Sequence, residues 1–163
     1  MYSMLDCNDY NLVIITLWVR LLNKYISLLK QNNMKVTHHR LAILKYLDEH
    51  HNHPTAEEIY SKLKAKNPSL SKTTVYNSLD ILQKYGIIQS LTICGSEFRY
   101  DYKGDMHHHF LCKKCGRIID IDIACSNIQK VARYGHEIEE VHGYFKGLCK
   151  NCVIKRGKSR NES

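Results

Sequence analysis

The sequence predicts an α+β protein with an N-terminal winged helix-turn-helix domain and a small C-terminal α/β domain. Three observations predict this fold class. Helical periodicity extends to about residue 86, two short β-type runs come next, and beyond residue 101 short strand patterns surround two Cys-x-x-Cys pairs. The chain of 163 residues is long enough for one large domain or two small ones.

The first two predicted helices have recognisable ends. Apolar residues recur at helical spacing from Leu21 to Leu29, and this helix should end near Asn32. Thr37 is a suitable N-cap for a second helix over residues 38–49.

Two further helices are predicted from capping patterns. Thr55 followed by Glu58 matches the capping box, and Pro68 stops that helix. Ser71 opens the next helix, and Gly86 suits its C-cap because glycine adopts the left-handed conformation without strain.

A β-hairpin is predicted after these helices. The runs 87–93 and 97–102 have a β-type composition and flank a turn at residues 94–96. Helices followed by a hairpin are the arrangement of a winged helix-turn-helix domain, in which the helix opened by Ser71 would enter the major groove of DNA. The side chains of that helix that suit base edges and phosphates are Lys72, Thr73, Thr74, Tyr76 and Asn77. The alternative is an ordinary helical domain with a Ser/Thr-rich polar face.

The charge of the chain agrees with a nucleic-acid partner. The formal net charge is +8 and the isoelectric point is about 9.1. A basic surface with a basic tail would explain the same charge, and we predict that residues 155–163 form such a disordered tail. We favour DNA binding because charge, helix order and hairpin agree.

Residues 1–20 are predicted to be an N-terminal extension. The apolar run Leu12–Leu22 is interrupted by Arg20 and is too short for a membrane span, which needs about 20 apolar residues. Asp6 and Asp9 precede it, where a signal peptide would carry positive charge. The run either packs one helix face on the fold or lies upstream of the true start of the protein.

Four cysteines predict a structural zinc site. They form two Cys-x-x-Cys pairs: Cys112, Cys115, Cys149 and Cys152. Four thiolates around one Zn²⁺ give a closed tetrahedral site with no open position. Such pairs indicate a reducing compartment, and hence a cytoplasmic location, whereas disulfide bonds are the alternative. The remaining cysteines are interpreted as ordinary thiols: Cys7, Cys94 and Cys125.

A second candidate metal site combines imidazole and carboxylate groups. His107 and His109 are two residues apart in an extended segment, so their side chains should point the same way. Asp101 precedes them, and Asp120 or Asp122 follows on the next predicted strand. These ligands suit Fe²⁺, Mn²⁺ or Zn²⁺, and their difference from thiolates predicts two separate ions. A surface histidine cluster without metal is the alternative.

The C-terminal region is predicted to be a small α/β unit. Strands are expected over residues 107–112, 117–123 and 140–149, with a helix over residues 125–134. A unit of this size commonly depends on a metal ion or on oligomerisation.

Several segments together resemble the ferric uptake regulator family, over about residues 21–155. They are residues 37–40 (THHR), 53–60 (HPTAEEIY), 73–79 (TTVYNSL), 98–101 (FRYD), 107–116 (HHHFLCKKCG) and 147–152 (GLCKNC). The resemblance implies a metal-activated winged-helix repressor whose C-terminal domain is a dimerisation domain and which binds palindromic operator DNA.

Within the family, the chain resembles the peroxide-sensing repressors. That resemblance implies a regulatory Fe²⁺ or Mn²⁺ held by five residues: His53, Asp101, His107, His109 and Asp120. Asp101 stands where iron-uptake regulators usually have Glu, which favours peroxide sensing. The implied chemistry is a reaction of Fe²⁺ with peroxide that oxidises His53 or His107, releases the ion and frees the DNA.

Some positions depart from the family pattern. The sequence before the second helix usually reads Thr-Pro-Gln-Arg, and here His38 and His39 replace Pro and Gln while Arg40, a candidate DNA contact, is kept. A further metal site of some relatives is not expected, because Met106 and Asn127 stand at its ligand positions.

The predicted domains are residues 1–20, 21–101, 102–154 and 155–163. Three other functions are alternatives: an iron- or zinc-uptake regulator that senses metal level, a metalloenzyme that uses the His/Asp site, and a zinc-stabilised interaction module that does not bind DNA. We expect no catalytic residues, because the sequence has no evident nucleophile–base or acid–base constellation.

Overall fold

The computed structural model describes residues 7–93, 95, 97–102, 107–123, 130–131, 133–138, 141 and 143–158. They fall into two compact units. The first contains the described residues up to Ser90 together with Tyr100–Tyr102, and the second contains Leu91–Arg99 and the described residues from His107 onward.

Four helices build the first unit. They are α1 (Cys7–Gln31), α2 (His38–Glu49), α3 (Ala56–Lys64) and α4 (Lys72–Lys84). The predicted caps are confirmed, since the hydroxyl groups of Thr37 and Ser71 accept backbone N–H groups in the first turns of α2 and α4. Thr55 and Glu58 form both hydrogen bonds of the capping box at the start of α3.

The first helix is longer than the sequence pattern suggested. We expected a helix from about residue 21, whereas α1 begins at Cys7, so residues 7–20 of the predicted extension are continuous with the helix of the folded unit. Among the described helices, none is long and apolar enough to cross a membrane.

The end of α4 is fixed by a glycine. Gly86 has a φ angle of 65°, in the left-handed region, as its predicted C-cap role requires. Its N–H donates to the carbonyl of Gln83 at 2.8 Å, and the N–H of Ile87 donates to the carbonyl of Leu82 at 3.0 Å. This pair of bonds is a Schellman motif, which ends the helix and turns the chain into the next strand.

Apolar stripes from all four helices form the core of the first unit. Fully buried side chains include Leu29, Ile43, Leu47, Ile59, Val75, Leu79 and Leu82. Each such side chain contributes about 1.5–3 kcal/mol relative to an exposed one. The core therefore holds the apolar face of α4 and leaves its polar face outside.

A two-stranded sheet follows α4, as the hairpin prediction required. Strand β1 is Ile88–Leu91 and strand β2 is Arg99–Tyr102, and the two are hydrogen-bonded neighbours. Both are shorter than the predicted runs. Residues 94 and 96 of the predicted turn lie outside the described residues.

The second unit contains a three-stranded sheet and a final helix. Its strands are β3 (His108–Cys112), β4 (Ile118–Ile121) and β5 (Tyr144–Gly147), in the order β4-β3-β5, and its helix is α5 (Lys150–Lys158). β3 is antiparallel to β4 and parallel to β5. Most of the helix predicted over residues 125–134 lies outside the described residues.

The predicted C-terminal tail requires a correction. We expected disorder from residue 155, but α5 continues to Lys158. The first turn of this helix is held beside a buried cysteine cluster, and its later turns can be polar because they are exposed to solvent. The absence of apolar residues after Ile154 therefore did not mark the end of the helix. Residues 159–163 lie outside the described residues.

Candidate metal centres

Four cysteines meet at one end of the three-stranded sheet. Cys112 is the last residue of β3, Cys115 lies in the following turn, and Cys149 and Cys152 flank the start of α5. The turn is closed by the N–H of Gly116, which donates to the carbonyl of Cys112 at 2.8 Å, and Gly116 has a φ angle of 71°. A glycine is therefore needed there for the knuckle to bring both thiols to the same side.

The separations between the sulfur atoms fit a zinc ion. All four Sγ atoms lie within 4.8 Å of one another, and those of Cys115 and Cys149 are 3.8 Å apart. Zn–S bonds of about 2.3 Å in a tetrahedron place neighbouring sulfur atoms about 3.8 Å apart. All four thiols are free, so the disulfide alternative is wrong for these residues. The cluster suits a structural zinc ion.

The protein already favours the thiolate form at one ligand. Backbone N–H groups, foremost that of Cys149 at 3.3 Å from the sulfur, lower the pKa of the Cys112 thiol to about 6. Burial instead raises the pKa of the Cys152 thiol. Metal binding requires the thiolate form and must therefore displace the proton that burial keeps on Cys152, which couples zinc affinity to pH.

On the other face of the same sheet, two histidines meet one aspartate. The strand register pairs His109 on β3 with Asp120 on β4. The Nε2 atoms of His107 and His109 lie 3.8 and 3.9 Å from the Oδ1 atom of Asp120. The imidazole rings are 4.7 Å apart, as expected for residues that point the same way. Asp122, the other candidate, is exposed beyond the end of β4.

In the first unit, His53 and Asp101 form a buried pair. The Nε2 atom of His53 lies 3.7 Å from the Oδ1 atom of Asp101, and the two residues are 1% and 4% exposed. The N–H of Tyr100 donates to the carbonyl of Pro54 at 2.9 Å, which ties the His53 loop to strand β2. The side chain of Gln89 donates to the other oxygen of Asp101 at 2.9 Å.

His53 also has an unusual backbone. Its φ angle is 49°, in the left-handed region, and a proline follows it. Both features are unfavourable for histidine, and such strain costs about 1–3 kcal/mol. The fold retains this conformation at a buried imidazole, which is typical of residues whose position serves a function.

Within each unit, the separations between the nitrogen and oxygen atoms suit ligands of a transition-metal ion. Metal–ligand bonds of about 2.1 Å place two ligands of one ion about 3–4 Å apart. The separations of 3.7, 3.8 and 3.9 Å lie in this range and are longer than hydrogen bonds. Imidazole and carboxylate together suit Fe²⁺, Mn²⁺ or Zn²⁺.

The polar face of α4 carries most of the predicted DNA contacts. Four of them are exposed on this helix: Lys72, Thr73, Tyr76 and Asn77. The two others have intramolecular partners in this structure. The hydroxyl group of Thr74 lies 2.8 Å from that of the N-cap Ser71, and the guanidinium group of Arg40 donates to the carbonyl of Lys35.

Two features of these sites were missed in the sequence. Gln89, which orients Asp101, occupies an inner position of a short strand and has no motif around it. Glu57 binds the ammonium group of Lys72 at 2.8 Å, although the two are 15 residues apart in the sequence. No local pattern pointed to Gln89 or joined Glu57 to Lys72.

A model of the ferric uptake regulator family matches residues 31–145. The chain belongs to the ferric uptake regulator family. It is 36% identical over 137 residues to the peroxide-responsive repressor PerR of Staphylococcus aureus strain USA300, a match that covers 82% of this chain and 93% of PerR.

Two solved structures have the same fold. The Helicobacter pylori ferric uptake regulator Fur superimposes with a TM-score of 0.64 at 26% identity, over 82% of this chain and 92% of that one. The Campylobacter jejuni peroxide stress regulator superimposes with a TM-score of 0.63 at 29% identity, over 78% of this chain and 98% of that one.

Family membership confirms the predicted fold class and general function. The chain is a metal-dependent transcriptional repressor with an N-terminal DNA-binding domain and a C-terminal dimerisation domain, and it is not an enzyme. The metalloenzyme and the module that does not bind DNA, considered above, are wrong. Its metal ligands comprise a four-thiolate set suited to structural zinc and a His/Asp set suited to a regulatory ion.

Proposed function

We propose that this repressor binds operator DNA as a dimer and senses peroxide through oxidation at a regulatory Fe²⁺ site. The single observation that carries the proposal is its likeness to the peroxide-responsive repressor PerR over almost the whole of that protein. Asp101 at the second ligand position supports it, because iron-uptake regulators usually have Glu there.

The proposed regulatory site uses five ligands. His53 and Asp101 come from the DNA-binding unit, and His107, His109 and Asp120 come from the second unit. The ligand separations within each set support this assignment. Bound Fe²⁺ would supply one-electron reduction of peroxide next to the histidine ligands.

The protein residues set both the sensitivity and the response of the site. The buried position of His53 keeps its imidazole out of bulk water, so that oxidation at this side chain requires a bound ion rather than diffusing oxidant. An ion held by ligands from both units would favour the DNA-competent arrangement, because its binding free energy shifts the population between arrangements. Loss of one histidine ligand would reverse that shift.

Four thiolates form the proposed zinc site of the dimerisation domain. Cys112, Cys115, Cys149 and Cys152 tie strand β3 to helix α5 and leave no open coordination position. The same sheet offers a surface for a second copy, because the cross-strand row Phe110, Ile119 and Phe145 is only partly covered. Ile119 and Phe145 are 37% and 42% exposed. We propose a cytoplasmic location, since both the thiolates and the DNA partner require it.

DNA recognition is proposed for the exposed face of α4. Lys72 suits a phosphate contact, while Tyr76 and Asn77 suit base edges and sugar. Thr73 lies on the same exposed face. Arg40 and Thr74 would have to exchange their internal hydrogen bonds for contacts with the phosphate backbone.

Peroxide sensing is tested with protein loaded with Fe²⁺ under anaerobic conditions. We expect peroxide to add one oxygen atom to a peptide that contains His53 or His107 and to abolish operator binding in a gel shift. Protein loaded with Mn²⁺ should show no change in peptide mass and should still bind the operator, because Mn²⁺ does not reduce peroxide readily. Unchanged mass with retained DNA binding in the Fe²⁺ sample would reject peroxide sensing and favour an uptake regulator that senses metal level.

A further inference from the structure

Strand β2 carries the proposed ligand Asp101, but it is short and has only one neighbouring strand. It contains four residues, Arg99–Tyr102, and in the described part of the chain it pairs with β1 alone. A two-stranded sheet is at best marginally stable by itself. Beyond Tyr102 the chain leaves the first unit. Contacts with the helices must therefore hold the end of β2, and with it the carboxylate of Asp101.

Two contacts flank Asp101 on this strand. Before it, the N–H of Tyr100 donates to the carbonyl of Pro54 at 2.9 Å. After it, Tyr102 packs on the helical core, and its ring centroid lies 5.0 Å from the ammonium nitrogen of Lys24 on α1. That distance is within the range of a cation–π contact. The backbone bond therefore fixes the strand on one side of Asp101, and the ring contact fixes it on the other.

The ammonium group of Lys24 is itself held in place. It lies 2.9 Å from Oδ2 of Asp48 on α2 and 5.6 Å from the ring centroid of Tyr25. The hydroxyl group of Tyr25, a buried core residue, donates to the same oxygen of Asp48 at 2.7 Å. Three elements, α1, α2 and β2, thus meet at one cation. The family match begins only at residue 31 and so does not include Lys24.

We propose that Lys24 is a positioning residue for the regulatory site: its contact with Tyr102 orders the end of β2 and so holds Asp101 ready for metal binding. The inference rests on the proposed role of Asp101 as a ligand. A ligand has to stay within about 0.5 Å of its productive position, and Oδ1 of Asp101 lies 3.7 Å from Nε2 of His53. Fraying of the strand end would move this oxygen away. The apparent dissociation constant for the metal rises as the ordered fraction falls.

Direct electrostatics predicts the opposite effect for this residue. A cation near the site repels a divalent ion, so removal of its charge would lower the dissociation constant for Mn²⁺. Positioning predicts that the same change raises this constant. Lys24→Met keeps the length of the side chain but not its charge, and it therefore separates the two explanations. We expect the constant to rise about two- to fivefold, the range of an exposed cation–π contact.

Isothermal titration of zinc-loaded protein with Mn²⁺ measures these constants. Lys24→Arg should keep the wild-type value, because a guanidinium group also binds the face of an aromatic ring. Lys30→Met, at an exposed lysine near the end of the same helix, is the matched control and should have no effect. In a Tyr102→Leu background, Lys24→Met should have no further effect, because its ring partner is already gone.

Hydrogen exchange provides a second measure that needs no Mn²⁺. In zinc-loaded protein without Mn²⁺, Lys24→Met should speed exchange of the amides of residues 99–102, because the strand end opens more often. Lys24→Arg and Lys30→Met should leave this exchange at the wild-type rate. Equal exchange in all four proteins would show that Lys24 does not order β2.

The titrations distinguish failure of this inference from failure of the proposed site. Unchanged or tighter Mn²⁺ binding by Lys24→Met, in a protein whose affinity falls on Asp101→Ala, would overturn the positioning role and leave the site intact. An equal loss of affinity from Lys24→Met in the Tyr102→Leu background would also overturn it, because Lys24 would then act through Asp48. An Mn²⁺ affinity that Asp101→Ala does not change would overturn the proposed site and this inference together.

Discussion

Gln89 and Asp101 are joined across the two-stranded sheet by a hydrogen bond of 2.9 Å from Nε2 to Oδ2. The other carboxylate oxygen, Oδ1, lies 3.7 Å from Nε2 of His53. Gln89 thus orients one oxygen of Asp101. The other oxygen lies next to His53, which is also a proposed metal ligand. Partners of this kind fix the direction of a ligand and raise metal affinity.

Replacement of Gln89 by Leu should weaken the regulatory site without removing a ligand. We expect the dissociation constant for Mn²⁺ to rise by about tenfold or more, since the loss of such partners typically costs 10–100-fold in metal affinity. Isothermal titration of zinc-loaded protein measures this constant. Ser90→Ala, at the next position of the same strand, is the control. Equal affinities for all three proteins would show that Asp101 does not depend on Gln89.

Replacement of His53 should separate metal-dependent DNA binding from folding. His53→Asn removes the imidazole but keeps a residue type that tolerates the left-handed backbone. We expect Mn²⁺ to stop promoting operator binding, while zinc content and dimer formation stay unchanged. His51→Asn, two residues earlier and exposed, should behave like the wild type. A His53→Asn protein that still binds its operator only on addition of Mn²⁺ would contradict the assignment.

Local sequence patterns predicted the first unit well because its helix ends depend on local chemistry. Thr37, Thr55 and Ser71 cap their helices through side-chain bonds to backbone groups within the next three residues. Gly86 ends α4 in the left-handed conformation, which glycine adopts without strain. Information of this kind lies within a few residues of each boundary and can be read from one sequence.

Contacts between distant residues were harder to predict. The choice between Asp120 and Asp122 depends on the register of β4 against β3, and the alternating pattern allows either until His109 pairs with Asp120. Gln89 acquires its role only because β2 lies beside β1. The end of α5 was misplaced because surface helices can finish with polar turns that resemble a tail.

The four-thiolate cluster should be required for the fold of the second unit. Cys149→Ser removes one ligand from a cluster whose sulfur atoms all lie within 4.8 Å of one another. Structural zinc contributes about 10–16 kcal/mol of apparent binding free energy in small zinc domains, so we expect loss of zinc and of dimer formation. Elemental analysis and sedimentation measure both. Cys125→Ser, a cysteine outside the cluster, is the control, and a Cys149→Ser dimer that retains stoichiometric zinc would contradict this role.

The ion pair between Glu57 and Lys72 should moderate affinity for DNA. Lys72 lies at the start of α4, its ammonium group is 2.8 Å from Glu57, and Glu57 raises its pKa. A phosphate must compete with Glu57 for this ammonium group. We expect Glu57→Gln to strengthen operator binding about two- to fivefold, the range of exposed ion pairs. Lys72→Gln should weaken binding and reduce the slope of log affinity against log salt by about 1.

A double-mutant cycle distinguishes this competition from a general charge effect. In the Lys72→Gln background, Glu57→Gln should have no further effect on operator affinity, because its partner is already gone. Fluorescence anisotropy with a labelled operator at several salt concentrations provides all four constants. An equal gain from Glu57→Gln in both backgrounds would mean that the carboxylate repels DNA directly.

Asp48 should make the first unit less stable in acid. Its carboxylate accepts hydrogen bonds from Lys24 at 2.9 Å and from Tyr25 at 2.7 Å. Burial alone would raise the pKa of Asp48, but these two donors lower it below its ordinary value of 3.8. A depressed carboxylate pKa stabilises the folded state above the ordinary pKa, and this contribution is lost as pH falls through the folded pKa. We therefore expect Asp48→Asn to be destabilising at neutral pH by about 1 kcal/mol.

The difference between wild type and Asp48→Asn should shrink as the pH falls below about 4, where the wild-type carboxylate takes up its proton. Urea unfolding at each pH measures the difference in free energy. Loss of zinc in acid affects both proteins equally and cancels. Tyr25→Phe tests one donor by itself, and its own difference from the wild type should also shrink in acid. A difference for Asp48→Asn that is constant from pH 6 to about pH 3 would mean that packing, and not the charge of Asp48, connects α1 to α2.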